Sequence, residues 1–145
     1  MEDIVITKCR NLTITSLQIR KLEAKIGNGS VVDGGVISVE MNANSFAEKE
    51  GGIIDKETPL CVEIDVNLIG KNDKEDTDLA FSCQCKTRGL FVPSDEAEMT
   101  IDEADVYIGM LSAQIYLPAR QLIIDLLERM GVRISLPLSV ELEKN

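Results

Sequence analysis

The sequence predicts an α+β domain in which helices cover one face of an antiparallel sheet, and three observations carry that reading. Segments in the first two thirds of the chain alternate apolar and polar residues with period two. After Pro93 the spacing becomes helical, and the final residues return to alternation. Strands first, then helices, then one extended tail place the helices together on one side of the sheet.

Three strands are well marked. From Val36 to Ser45, Ile37, Val39, Met41 and Ala43 oppose Ser38, Glu40, Asn42 and Asn44. From Leu60 to Ile69, Leu60, Val62, Ile64, Val66 and Leu68 oppose Cys61, Glu63, Asp65 and Asn67. From Asp78 to Phe91, Leu79, Phe81, Cys83, Cys85 and Phe91 oppose Asp78, Ser82, Gln84, Lys86 and Arg88. One buried and one wet face is the habit of antiparallel sheets. The run from Leu12 to Ile26 changes phase twice: Leu12 and Ile14 share one phase, Leu17 and Ile19 take the other, and Leu22, Ala24 and Ile26 return to the first. A bulged or strongly bent strand absorbs such changes. Gly27-Asn28-Gly29-Ser30, Gly34-Gly35, Gly51-Gly52 and the charged stretch Gly70 to Asp76 read as connections.

Thr100 and Glu103 form a capping box, with Asp102 adding negative charge to the first helical turn. Ile101, Ala104, Ile108, Leu111 and Ile115 follow at helical spacing. Pro118 is expected to break this long helix, which restarts through Leu122, Ile123, Leu126, Leu127 and Met130 to a cap at Gly131. Ile134, Leu136, Leu138, Val140 and Leu142 then predict a C-terminal extended strand, kept at an edge by Pro137. The expected whole is a four-stranded antiparallel sheet, a broken long helix on one face and that last strand, in a single domain spanning residues 1–145.

Composition narrows the function. The net charge of −10 repels nucleic-acid backbones and anionic membranes. No apolar run is long enough to span a bilayer, and Met1-Glu2-Asp3-Ile4 lacks the basic start of a secretory signal. A cytoplasmic protein without membrane insertion is expected. Its four cysteines (Cys9, Cys61, Cys83 and Cys85) are then expected to stay reduced. The absence of histidine removes Ser-His-Asp and Cys-His machinery. Gly27-Asn28-Gly29 is not continued into a phosphate-binding Gly-Lys-Ser/Thr, and no cofactor is expected.

The remaining candidates each have two readings. Cys83 and Cys85 share a strand face, as half of a metal site or as small hydrophobes in a core. Glu63 and Asp65 form either a stripe that docks a basic partner or a solvated strand face. Asp95, Glu96, Glu98, Asp102, Glu103 and Asp105 surround a helix start, where carboxylates serve the helix dipole. A general base among them would instead fit a hot-dog-type acyl-thioester enzyme or ligand-binding protein. Ile53 and Ile54, and Leu90, Phe91 and Val92, are large apolar residues in or beside loops, where they either pack in the core or form an exposed binding surface.

From Thr87 onward the sequence resembles the SecB-like chaperone family, the bacterial export chaperone SecB and its toxin–antitoxin-associated relatives. Arg88-Gly89-Leu90-Phe91 is similar to a strand ending in that family, Ile115-Tyr116-Leu117-Pro118-Ala119-Arg120-Gln121-Leu122-Ile123 to its helix segment, and Arg129 to Leu138 to its arginine–glycine turn and leucine–proline strand. The likeness runs from Leu12 to Leu142 and is strongest after Leu79. It implies a four-stranded sheet carrying a long helix, assembly as a homo-dimer or homo-tetramer, and ATP-independent holding of unfolded polypeptide clients in apolar grooves. Client-binding residues are then expected at Ile53, Ile54, Leu90, Phe91, Val92, Leu122 and Leu126, and a partner-docking acidic face at Glu63 and Asp65. Catalytic residues and metal ligands are not expected. The role implied is protein export or service to a dedicated partner such as an antitoxin. Gln84 stands where the export chaperone has an acidic residue directed at the motor SecA, which implies weak docking there. The sequence ends at Asn145 without the family's final helix, so one groove wall is expected to be missing or differently built.

Overall fold

The alternating runs become β1 (Leu12–Ile26), β2 (Val36–Ala47), β4 (Leu60–Lys71) and β5 (Phe81–Pro93), and two short strands, β3 (Ile53–Ile54) and β6 (Met99–Thr100), pair with each other. The structure is a computed structural model that describes residues 12–27, 35–47, 52–72, 78–94 and 98–142. Cys9, Asp95, Glu96 and most of the turns at 27–30 and 70–76 lie outside these residues. The four long strands form one antiparallel sheet in the order β1-β5-β4-β2.

The two phase changes of β1 are two register shifts against β5, between Ile14 and Ser16 and between Ile19 and Lys21. Each shift inserts one residue and flips the side-chain phase back. Leu12, Ile14, Leu17, Ile19, Leu22, Ala24 and Ile26 therefore all lie opposite Pro93, Phe91, Gly89, Thr87, Cys85, Cys83 and Phe81, on one face of the sheet.

That face carries the core. Leu60, Val62, Ile64, Val66 and Leu68 of β4 and Phe81, Cys83, Cys85 and Phe91 of β5 are buried on it. Helices α1 (Ile101–Asp105) and α2 (Ile108–Arg129) follow the strands, and α2 lies mainly over β4 and β5. It buries Leu111, Ile115, Tyr116, Ala119, Ile123 and Leu127. Gly89 sits where a Cβ would come within 2.9 Å of Ile115, so its lack of a side chain admits α2 to the sheet.

The capping box forms as expected. Glu103 N–H donates to the Thr100 hydroxyl at 3.2 Å and Thr100 N–H to the Glu103 carboxylate at 3.3 Å. Gly131, at φ +87°, ends α2: Val132 N–H reaches the Leu127 carbonyl at 2.8 Å and Gly131 N–H the Glu128 carbonyl at 3.0 Å, a Schellman pair. The expected break at Pro118 is corrected, because α2 continues through it and the helical interruption lies at Val106 and Tyr107 instead. Pro118 leaves the Gln114 carbonyl without an N–H partner, but both residues are on the exposed side, where water serves it.

The last segment is extended but is not a sheet strand. Its one β contact among the described residues is a parallel bridge from Leu142 to Met41 of β2. Val132 and Leu136 are buried, whereas Leu138, expected on the same face, is 72% exposed. Pro137 supplies no N–H, and side chains of α2 take the carbonyls of Leu136 and Pro137, so no ladder continues through this stretch.

Candidate functional site

The expected client-binding residues divide between three places. Ile54 and Phe91 are fully buried, so they act in the core and not on an accessible surface. Phe91 is opposite Leu60 and packs beneath α2. Leu90 and Val92, its neighbours in β5, point to the other face by strand alternation and are half-buried there. Ile53 is exposed beside the helix entry, held through its pairing with Thr100.

Leu122 and Leu126 are half-buried on one flank of α2. Tyr116 and Arg120 face the extended tail, which reaches β2. Helical rotation of about 100° per residue turns Leu122 and Leu126 away from that side, toward β1. On that side of the sheet lies a strip that the sequence leaves unassigned: Ile14, Leu17, Ile19 and Ile26 of β1 are between 36% and 51% exposed, on the same sheet face as α2. The signal was present in seven apolar residues among the fifteen of β1. It emerges once two bulges are allowed, because they turn two short out-of-phase runs into one continuous strip.

The opposite face of the sheet is polar and internally paired. Glu63 Oε2 accepts from Arg88 Nε at 3.3 Å and Nη2 at 3.1 Å, and Asp65 accepts from Gln84 Nε2 at 3.0 and 3.2 Å. The Arg88 guanidinium lies 5.2 Å from the centroid of the Phe46 ring, tying β2, β4 and β5 together. Glu63 and Asp65 thus stand side by side as expected, but each is engaged by β5. The register adds an apolar end to this face, a row of Phe46, Cys61 and Leu90.

Cys83 and Cys85 are free thiols and, like Cys61, are buried. Burial and the neighbouring Cys85 push the Cys83 thiol from its ordinary 9.0 up to about 11, and burial also raises Cys85. The folded chain therefore keeps protons that the unfolded chain loses once the pH exceeds the ordinary thiol value. The stability this contributes is complete below about pH 9 and declines as the pH rises toward 11. The urea midpoint is expected to be lower at about pH 10.5 than at about pH 8. An equal midpoint at both would contradict thiol burial.

The acidic cluster serves structure in the described residues. Asp102 is exposed, Glu103 closes the capping box, and the exposed Asp105 accepts the Ser45 hydroxyl at 2.7 Å. A hot-dog-type acyl enzyme needs a carboxylate in an enclosed pocket with donors facing the acyl group. Glu98, Asp102 and Asp105 are exposed, and Glu103 is engaged in the capping box. Among the described residues no helix is long and apolar enough to cross a membrane.

A four-stranded antiparallel sheet with one long helix packed across it is a SecB-like fold. The chain superposes on the Mycobacterium tuberculosis SecB-like chaperone Rv1957, solved in complex with a ChAD peptide from the HigA1 antitoxin, with a TM-score of 0.65 over 98% of both chains at 14% sequence identity. At that identity the likeness establishes the fold. No protein-family model matches the sequence, and a search of curated protein sequences finds no match.

Proposed function

We propose that this chain is a non-enzymatic, ATP-independent holdase that binds unfolded or partly folded polypeptide segments against apolar surface in the cytoplasm. The observation that carries the reading is the uncovered apolar strip of β1, together with the half-exposed Leu122 and Leu126 of α2, on a fold shared across its length with a chaperone solved with a bound peptide. Burying three or four such side chains yields roughly 5–10 kcal/mol gross. Ordering the client removes part of that, which leaves reversible binding. Ile53 and the Leu90 and Val92 end of the polar face are the further surfaces proposed to touch clients.

A dedicated partner such as an antitoxin fits better than general export. Glu63 and Asp65 already have Arg88 and Gln84 as partners, so a basic tail of SecA would have to compete for them. Self-assembly into a dimer or tetramer belongs to the same proposal, since the outer edge of β1 has no partner strand among the described residues. Aggregation of a chemically denatured client diluted into buffer without nucleotide tests the holdase reading. Suppression at about one protein per client is expected. Unchanged light scattering at several-fold excess would sink it.

A further inference from the structure

The segment after Gly131 is fixed to α2 through its backbone. Arg120 Nε and Nη2 both donate to the Leu136 carbonyl, at 3.1 and 2.9 Å, and the Tyr116 hydroxyl donates to the Pro137 carbonyl at 2.7 Å. These donors would accept any extended chain, because every residue presents the same carbonyl. The side chains of the segment enter the groove at intervals: Val132 and Leu136 are buried, and Ile134, Val140 and Leu142 are half-buried against the core. A single bridge, Leu142 to Met41, is its only β pairing among the described residues. A cleft of about 610 Å³ opens beside its first residues, between Val132 to Ser135 and the strand ends at Val36 and Phe81.

We propose that residues 132–142 are an internal occupant of a groove between α2 and β2, and that an extended apolar segment of a partner polypeptide takes the groove by displacing them. The occupant itself defines the partner: an extended chain, apolar side chains at intervals of two or four residues, and free carbonyls opposite Arg120 and Tyr116. The cleft at Val132 to Ser135 gives the incoming segment a place to start. The proposal rests on the holdase reading and adds to it a competition, in which the affinity measured is the intrinsic one reduced by the fraction of molecules with the groove open.

Leu136→Ser tests this in the full chain, since it removes an anchor of the occupant and leaves the groove donors in place. The probe is a fluorescently labelled, reduced and carboxamidomethylated globular protein, read by anisotropy. Leu136→Ser is expected to bind it about tenfold more tightly than the unmodified chain. Hydrogen exchange on the unmodified chain provides a reading independent of any variant, with the amides of residues 132–142 expected to exchange faster when the probe is bound. If the probe binds with equal affinity to both and exchange in the segment is unchanged, the displacement is wrong and the holdase reading stands. If neither the unmodified chain nor the folded variant holds the probe, both readings fall.

Discussion

Phe91→Ala is expected to destabilise the folded chain by about 3–5 kcal/mol, whereas Leu90→Ala is expected to cost about 1 kcal/mol or less. The two residues are adjacent and similar in apolarity, so the contrast comes from placement alone. Phe91 is fully buried between the sheet and α2, and its removal leaves a cavity that neighbours on two strands and a helix cannot close together. Leu90 faces the other side, where water already reaches part of it. Against a total stability of about 5–15 kcal/mol, the Phe91 loss is a large fraction, and it corresponds to a melting shift of roughly 6–20 °C in a chain of this size. Urea unfolding of the two variants checks this. Equal midpoints would show that Phe91 is not a core residue.

The contrast also explains which parts of the site were legible in the sequence. Periodicity names a face, and it placed Phe91 with Leu79, Phe81, Cys83 and Cys85 and placed Glu63 with Asp65. It does not say which face receives the helix, so Leu90, Phe91 and Val92 read as one apolar cluster although alternation divides them. Ile54 was misread for a related reason. Its position after two glycines resembles a loop, yet the pairing of β3 with β6 draws it inward while Ile53 stays outside.

Local chemistry was the most readable layer. The capping box at Thr100, the glycine cap at Gly131 and the bulged first strand all depend on neighbours within a few residues, and all are present. Pro118 and the tail failed because distant structure overrides local preference. The exposed side of α2 leaves the Gln114 carbonyl to solvent, and Arg120 and Tyr116 claim carbonyls that a strand would have used. Nothing in the alternation of Ile134 to Leu142 announces those two side chains. The pairing of Glu63 with Arg88 and of Asp65 with Gln84 likewise required the register of β4 on β5, which a single strand does not contain.

Leu17→Asp combined with Ile19→Asp is expected to abolish self-association while leaving the single chain folded. Both side chains are at least 40% exposed in the isolated chain, so the carboxylates remain hydrated there and the core beneath α2 is untouched. In an assembly that covers β1 the same carboxylates would lose water without gaining partners. A two-fold contact contains every substitution twice, so the double variant places four carboxylates at the interface. Even about 1.4 kcal/mol for each would weaken association by roughly 10⁴-fold, enough to separate a complex with nanomolar affinity at micromolar concentration. Sedimentation velocity and circular dichroism together check the prediction: a folded species of monomer mass is expected. An unchanged assembly would show that β1 is not the contact, and loss of aggregation suppression in that intact assembly would leave Leu17 and Ile19 with the client surface alone.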